Sequence, residues 1–266
     1  MSGQEHPESD VEMPFFGHLA ELRTRLIRAL LGLIPCVAIA WLFKEQLLGQ
    51  ALAPLTDAFE AHGFPTEIHF ANPAAKVMAF LKISLIAGLL LGSPWLFWQV
   101  WAFISPGLYR RERLMAIPFV LASTLCFAGG ALFGHFLVFP LIFDTLINFG
   151  GEVPGIDIRP TLMIGEVIDF VVRLLLAFGA VFEVPVVVVF LAVAGIVDSK
   201  QLLSFGRYWA VVAAILAAVL TPPDVVSQLM MLGPMIGLYY IAVLIAYLLT
   251  LGRESANDDD GTVYER

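Results

Sequence analysis

Long apolar segments separated by short polar stretches occupy most of this sequence, and they restrict the fold more than any other feature. They cover residues 26–43, 77–100, 114–147, 164–194, 208–220 and 225–251. An α-helix rises about 1.5 Å per residue, so about 20 apolar residues cross the hydrocarbon core of a bilayer. The chain is 59% hydrophobic and 14% charged, whereas soluble domains have about 25% charged residues. The sequence therefore predicts an integral membrane protein with six transmembrane helices.

The lengths and prolines of these segments predict an irregular bundle. Segment 114–147 is longer than the bilayer requires, so it should tilt, or kink at Pro118 or Pro140. Segment 164–194 contains Pro185, and every segment except the fifth contains a proline. We expect the fifth and sixth segments to form a short helical hairpin. We predict an all-α membrane protein in which six helices form a curved bundle.

Two further stretches are apolar at helical spacing but too polar to be spans. The beginning of the domain, from residue 13, should lie along the membrane surface before the first span. Residues 44–75 should contain an interfacial helix instead of a seventh span. We expect a single domain over residues 13–251, between an N-terminal tail (1–12) and an acidic C-terminal tail (252–266), both disordered.

The distribution of lysine and arginine along the chain predicts the orientation of the spans in the membrane. Ten fall on one side of the predicted spans: Arg23, Arg25, Arg28, Arg110, Arg111, Arg113, Lys200, Arg207, Arg253 and Arg266. Three fall on the other side: Lys44, Lys76 and Arg159. Because positive charge is concentrated in cytoplasmic loops, both termini are expected in the cytoplasm.

Motifs for the common kinds of enzyme site are missing from the sequence. It contains no H-E-x-x-H, no glycine-rich phosphate loop, no G-x-S-x-G and no metal-spaced Cys/His cluster. His135 lies in a span but has no recognisable serine nucleophile to activate, so it reads as a packed histidine. Cys36 and Cys126 read as buried apolar residues. We expect no enzyme activity, no cofactor and no nucleic-acid partner.

Glu183 is the most informative carboxylate within a span. A charged group at such depth costs about 2.5–3.5 kcal/mol by insertion scales, so it needs a partner, a proton or water. It could be a neutral carboxyl bonded to a neighbouring helix, a docking position for a partner, or a proton relay in a secondary transporter or ion-conducting subunit. Gln228 is a possible counterpart across the bundle. Asp169 and Arg173, one turn apart on a helix, should pair with each other.

Glu21 and Glu112 lie near the predicted cytoplasmic ends of spans one and three. Glu21 has Arg25 one helical turn away, and Glu112 stands among three arginines, so each carboxylate could be neutralised by its own neighbours. Together they could instead hold two incoming arginine side chains through bidentate, charge-assisted hydrogen bonds. The residues alone leave both possibilities open.

Four motifs, in order along the chain, indicate a family. They are HLAELRTRL (18–26), QVWAFISP (99–106) followed by Arg111-Glu112-Arg113, AFGAVFEVP (177–185) and LTPPDVVSQ (220–228). The chain resembles TatC, the multispanning subunit of the twin-arginine protein translocase, from about Phe15 to Leu251. This resemblance implies a glove-like six-helix bundle in the bacterial cytoplasmic (inner) membrane. It also implies that the proton-motive force drives protein transport.

The resemblance also implies roles for particular residues. Glu21 and Glu112 match the carboxylates that bind the arginine pair of signal peptides on folded cargo, and Arg23, Phe103 and Pro106 match neighbouring motif positions. Glu183 matches the polar residue of span four that docks the single-span subunits TatA and TatB. Gln228 and Asp224 match positions around the last hairpin. Other copies of the same chain are expected in the complex.

Overall fold

A computed structural model of the chain describes the backbone of residues 15–104, 116–148, 161–221 and 224–261. Side chains are described for residues 17–104, 116–147, 161–221 and 224–250. The elements within these ranges are α1 (Phe15–Leu42), α2 (Lys44–Ala61), β1 (Ile68–His69), α3 (Pro73–Ile104), α4 (Ala116–Phe133), a π-helical turn (Gly134–Val138), α5 (Phe139–Asn148), β2 (Leu162–Met163), α6 (Ile164–Phe182), α7 (Val184–Val193), α8 (Ser199–Leu220) and α9 (Val225–Gly261).

Six helical segments of this part of the chain are long and apolar enough to cross a membrane. They are Gly17–Leu42, Pro73–Ile104, Ala116–Ile147, Ile164–Val193, Ser199–Leu220 and Val225–Thr250. We number them spans one to six. The α2 helix is not among them, so the prediction of six spans and no seventh is confirmed.

The spans form an open row. α1 packs mainly along α3, which also contacts α4 and α6; α7 and α8 both pack along α9. Spans one and five are therefore at the two ends of the row, in agreement with the predicted curved bundle. We call the side where α1 begins and α3 ends the terminus side, and the side where α1 ends and α3 begins the opposite side.

Two predicted boundaries are wrong. α1 is one continuous helix from Phe15, because neither glycine nor proline separates the predicted surface segment from the span. α8 begins at Ser199 and has 22 residues, nine residues earlier than predicted, although span five is still the shortest of the six. Asp198 and Gln201 start it with a reciprocal capping box, which satisfies backbone groups that a helix end leaves free.

The end of the sixth span agrees with the predicted segment, because the span ends at Thr250 and the segment at residue 251. The α9 helix itself continues to Gly261. No proline follows Pro234 in the sequence, and the helix therefore meets no residue that must end it.

α2 lies on the opposite side and buries one face against the bundle. Leu48, Leu52, Leu55 and Phe59 are buried, and the helix packs on α3 and α5. The prediction of a helix here is confirmed. The apolar face of α2 packs against other helices of the same chain. After α2, a short parallel pairing of β1 with β2 joins Ile68 to Leu162, and the sequence pattern did not predict it.

Spans three and four pack unusually closely. A Cβ on Gly130 would lie 2.4 Å from the Phe178 carbonyl oxygen, and one on Gly179 would lie 2.6 Å from the Phe127 ring. Only glycine allows these two backbones to approach so far. Small residues at helix contacts have the same effect in other membrane proteins.

Both of these spans are interrupted near a proline. The π-helical turn precedes Pro140 in span three, near one of the two kinks predicted, and Pro185 follows the break in span four. Proline has no N–H to donate and its ring crowds the preceding turn. α6 accordingly ends at Phe182 and α7 begins at Val184, which leaves Glu183 at the joint.

Candidate functional site

Three predicted binding residues, Glu21, Arg23 and Phe103, belong to elements that meet on the terminus side. The His18 ring, in the first turns of α1, stacks on Phe103 near the end of α3, with centroids 4.4 Å apart and planes inclined by 24°. One face of span one is also fixed to span two, because Trp95 Nε1 donates to the Arg28 carbonyl at 2.9 Å. The motif at residues 18–26 is thereby held against the motif at residues 99–106.

Glu21 makes the intrahelical contact that its sequence neighbours suggested. Arg25 donates from one nitrogen to Glu21 Oε1 at 3.3 Å, and side-chain exposures of 27% and 20% leave both groups in contact with solvent. Such helix pairs contribute about 0.3–0.5 kcal/mol. The contact is long and uses one carboxylate oxygen, so a stronger bidentate partner can replace it. Arg23 is exposed and forms no ion pair within the described ranges.

Two other predicted binding residues, Glu112 and Pro106, lie outside the described residues. Phe103 is the last of the predicted first-loop positions that the structure describes.

Glu183 lies where span four changes direction. Its N–H bonds to the Ala180 carbonyl at 3.2 Å, and its own carbonyl accepts from Val187 at 3.0 Å. The backbone is therefore bonded on both sides of the joint, although Pro185 leaves the regular pattern incomplete. The side chain is half-buried, and it lies far from either end of a 30-residue span.

The Glu183 carboxyl faces a short chain of hydrogen-bonding groups. Trp101 Nε1 donates to Ser123 Oγ at 3.4 Å, and the Ser123 side chain lies beside the Glu183 carboxyl. An indole can only donate, whereas a hydroxyl both accepts and donates. The Ser123 hydroxyl is therefore able to accept from Trp101 and to donate toward Glu183.

One carboxyl oxygen of Glu183 is left without a partner. Oε1 is buried and accepts no hydrogen bond from any described residue. An unsatisfied buried acceptor costs about 1–3 kcal/mol. A hydrogen-bond donor from another molecule would therefore form a favourable bond with this oxygen.

Aromatic rings surround this polar chain on the terminus side. Trp101 stacks on Phe119 with centroids 4.9 Å apart, and Phe190 meets both rings edge to face. These contacts join the end of α3, the start of α4 and α7. Sequence analysis missed Ser123 and Trp101 as partners of Glu183, because no spacing rule relates residues on three different spans.

The suggested pairing of Gln228 with Glu183 is wrong. Gln228 Nε2 donates to the Ala214 carbonyl at 3.4 Å, which ties α9 to α8. Asp224 has a structural role in the same hairpin, because its Oδ1 accepts the Ser227 N–H at 2.7 Å at the start of α9. Such a cap satisfies a backbone donor that the first turn leaves free.

The predicted pair of Asp169 with Arg173 is also wrong. Asp169 instead pairs with Lys82 and so links span four to span two. Arg173 is the nearer basic residue in sequence, because it shares a helix with Asp169. The packing of α3 on α6 instead places Lys82 beside Asp169. His135 is packed as predicted, with its ring edge-on to Phe136 and Phe139.

The fold and the site together define a class of protein. This is a polytopic α-helical membrane protein with a polar position inside the bundle, and its described part contains no His, Cys, Asp and Glu group that could hold a metal ion. The family model of the Sec-independent protein translocase protein TatC matches residues 17–234. The chain belongs to the TatC family, which consists of translocase receptors and not of enzymes.

Individual relatives agree with this assignment. TatC of Halothiobacillus neapolitanus is 39% identical over 232 residues, and the match covers 87% of this chain and 62% of that relative. TatC of Desulforapulum autotrophicum is 37% identical, with 93% and 88% covered. A crystal structure of the twin-arginine translocase receptor TatC in DDM has 34% identity and a TM-score of 0.76, covering 86% of this chain and 99% of that one.

Proposed function

We propose that this chain is the receptor subunit of a twin-arginine translocase in a bacterial cytoplasmic (inner) membrane. It binds the signal peptides of folded proteins, assembles with further copies of itself, and works with TatA and TatB in export driven by the proton-motive force. Family membership supports this role, and the charge distribution supports an orientation. Arg23, Arg25 and Arg28 begin span one on the terminus side, so the positive-inside rule favours the cytoplasm there.

In this proposal the arginine pair of the signal peptide binds Glu21 and Glu112, with Arg23, Phe103 and Pro106 around them. The stacking of His18 on Phe103 carries the proposal, because it holds the helix of Glu21 against Phe103, which is nine residues before Glu112. A carboxylate accepts two parallel N–H bonds from a guanidinium, but lysine cannot present that fork.

Photo-crosslinking to a twin-arginine peptide tests this site. Glu112→Gln should abolish the cross-link, Glu21→Gln should weaken it, and both variants should still insert into the membrane. The control is Glu45→Gln, an exposed carboxylate on the opposite side, which should leave binding unchanged. A peptide with two lysines should bind the wild type poorly. Undiminished cross-linking to Glu112→Gln would reject the site.

Glu183 is the proposed docking position for the single-span helices of TatA and TatB, and Gln228 is a second one. The buried, unpartnered Oε1 of Glu183 supports this, because a donor on a partner helix would satisfy it. Gln228 is half-buried between α8 and α9, so its amide is within reach of the surface of that hairpin.

Co-purification measures docking directly. Glu183→Ala should lose the partners, Glu183→Gln should keep part of the binding, and Glu166→Ala, an exposed carboxylate near the start of α6, should behave as wild type. Secondary transport through Glu183 is the competing function. Proteoliposomes of the purified chain separate the two: flux of protons or small solutes that Glu183→Ala abolishes would favour transport and contradict the docking role.

A further inference from the structure

Two lysines converge on one aromatic ring at the opposite side of the bundle. Lys44 Nζ lies 5.9 Å from the Phe80 ring centroid, and Lys76 Nζ also lies 5.9 Å from it. Lys44 Nζ is in addition 5.4 Å from the Trp41 ring. The antiparallel packing of α1 on α3 brings the end of one helix beside the start of the other. We call Trp41, Lys44, Lys76 and Phe80 the lysine cluster.

No described residue forms an ion pair with either lysine of the lysine cluster. The ion pairs of the described residues are Arg25–Glu21, His62–Asp144 and Lys82–Asp169, and none includes Lys44 or Lys76. The ring faces stabilise a cation by about 0.5–1 kcal/mol at exposed sites. They do not neutralise its charge.

Exposed apolar side chains adjoin the cluster. Leu42 is 74% exposed, and Phe43 and Val77 are also largely exposed. They lie at the same end of spans one and two as the lysines. Tryptophan and lysine near the ends of spans are typical of the membrane–water boundary, where the ring lies at headgroup level and the ammonium reaches toward phosphate.

We propose that Lys44 and Lys76 bind the phosphate of a phospholipid with net negative charge, whose acyl chains lie along Leu42, Phe43 and Val77. A zwitterionic lipid carries its own cation and would neutralise the cluster less. A free phosphate would gain nothing from the apolar surface. The site is independent of the proposed receptor function, because it requires neither an orientation nor a partner protein.

Native mass spectrometry of the intact chain, released from detergent with matched lipids, tests the site. The probes are phosphatidylglycerol and phosphatidylcholine with the same acyl chains. Each basic residue near an anionic lipid surface contributes about fivefold in affinity. Phosphatidylglycerol retention should therefore fall about fivefold in Lys44→Gln or Lys76→Gln, and about 25-fold in the double variant. The double arginine variant should retain the lipid, which separates lost charge from misfolding.

The control is Lys200→Gln with Arg207→Gln, two exposed basic residues on the terminus side, which should leave retention at the wild-type level. Equal retention by the double glutamine variant would overturn the proposal. Equal binding of the two lipids would also overturn it. Displacement of the lipid by inorganic phosphate alone would show a general anion site, which contradicts the proposed role of the acyl chains.

Discussion

The His62 ring joins two helices through both of its nitrogens. Nε2 lies 3.4 Å from Asp144 Oδ1 on α5, and Nδ1 lies 2.8 Å from the Ala58 carbonyl oxygen in the last turn of α2. Both neighbouring atoms are acceptors, and a neutral imidazole has one N–H. The ring therefore links the last turn of α2 to α5.

This link predicts a loss of stability when either side chain is replaced. The Asp144 side chain is more than a third exposed, so the effect should be about 1 kcal/mol or less.

Thermal unfolding in detergent measures the effect. The wild type should melt above His62→Gln, because the substitution removes the contact between α2 and α5. Asp144→Asn should reproduce the behaviour of His62→Gln, because it removes the other half of the same pair. Equal midpoints for the wild type and both variants would exclude a stabilising contact.

The close approach of spans three and four predicts a large effect from one small substitution. Gly130→Ala places a methyl group 2.4 Å from the Phe178 carbonyl oxygen, so the helices must separate. Overpacking of this kind costs about 1–3 kcal/mol. Gly129→Ala is a matched control one residue away, because its Cβ meets nothing within 4 Å. Unfolding midpoints in detergent should drop for Gly130→Ala alone.

The ion pair between Lys82 and Asp169 predicts a charge-exchange result. Lys82→Asp should destabilise the bundle by placing two carboxylates together, and Lys82→Asp with Asp169→Lys should recover most of the loss. Both side chains are more than a third exposed, so the effect should be about 1 kcal/mol or less. Arg173→Gln should have little effect on the unfolding midpoint, whereas a pair with Asp169 would make it costly.

The polar groups beside Glu183 predict an effect of Ser123, which contacts no proposed partner. Ser123→Ala removes the hydroxyl beside the Glu183 side chain and leaves the Trp101 indole without its acceptor. Buried groups left unpaired in this way cost about 1–3 kcal/mol each. Ser123→Thr keeps the hydroxyl and should be nearly neutral. Stability in detergent and retention of the partner subunits should change together.

Apolar length and proline content were sufficient to predict the main features of the fold. Segment length gives five of the six spans, because the bilayer sets a minimum for each. The fifth predicted segment, 208–220, is shorter than that minimum. Boundaries failed where polar residues continue a helix into water, as Ser199–Arg207 do in α8. A capping box at Asp198, and not hydrophobicity, determines where that helix begins.

Pairings between distant residues were the weakest part of the prediction. Glu183 was identified by its depth, but its partners Ser123 and Trp101 come from two other spans. Asp169 pairs with Lys82 across 87 residues in place of its neighbour one turn away. Such pairs depend on how whole helices rotate and slide during packing, and the periodicity of one helix carries no information about that.

The break in span four has a mechanical consequence. α6 packs on α3 and α4, whereas α7 packs mainly on α9, so the two halves of this span belong to different groups of helices. Helices bend most easily where a hydrogen bond is missing, and the span lacks one at Pro185. A tilt of the last hairpin would therefore bend span four mainly at Glu183. The contact of this one carboxyl group with water would then change with the position of the hairpin.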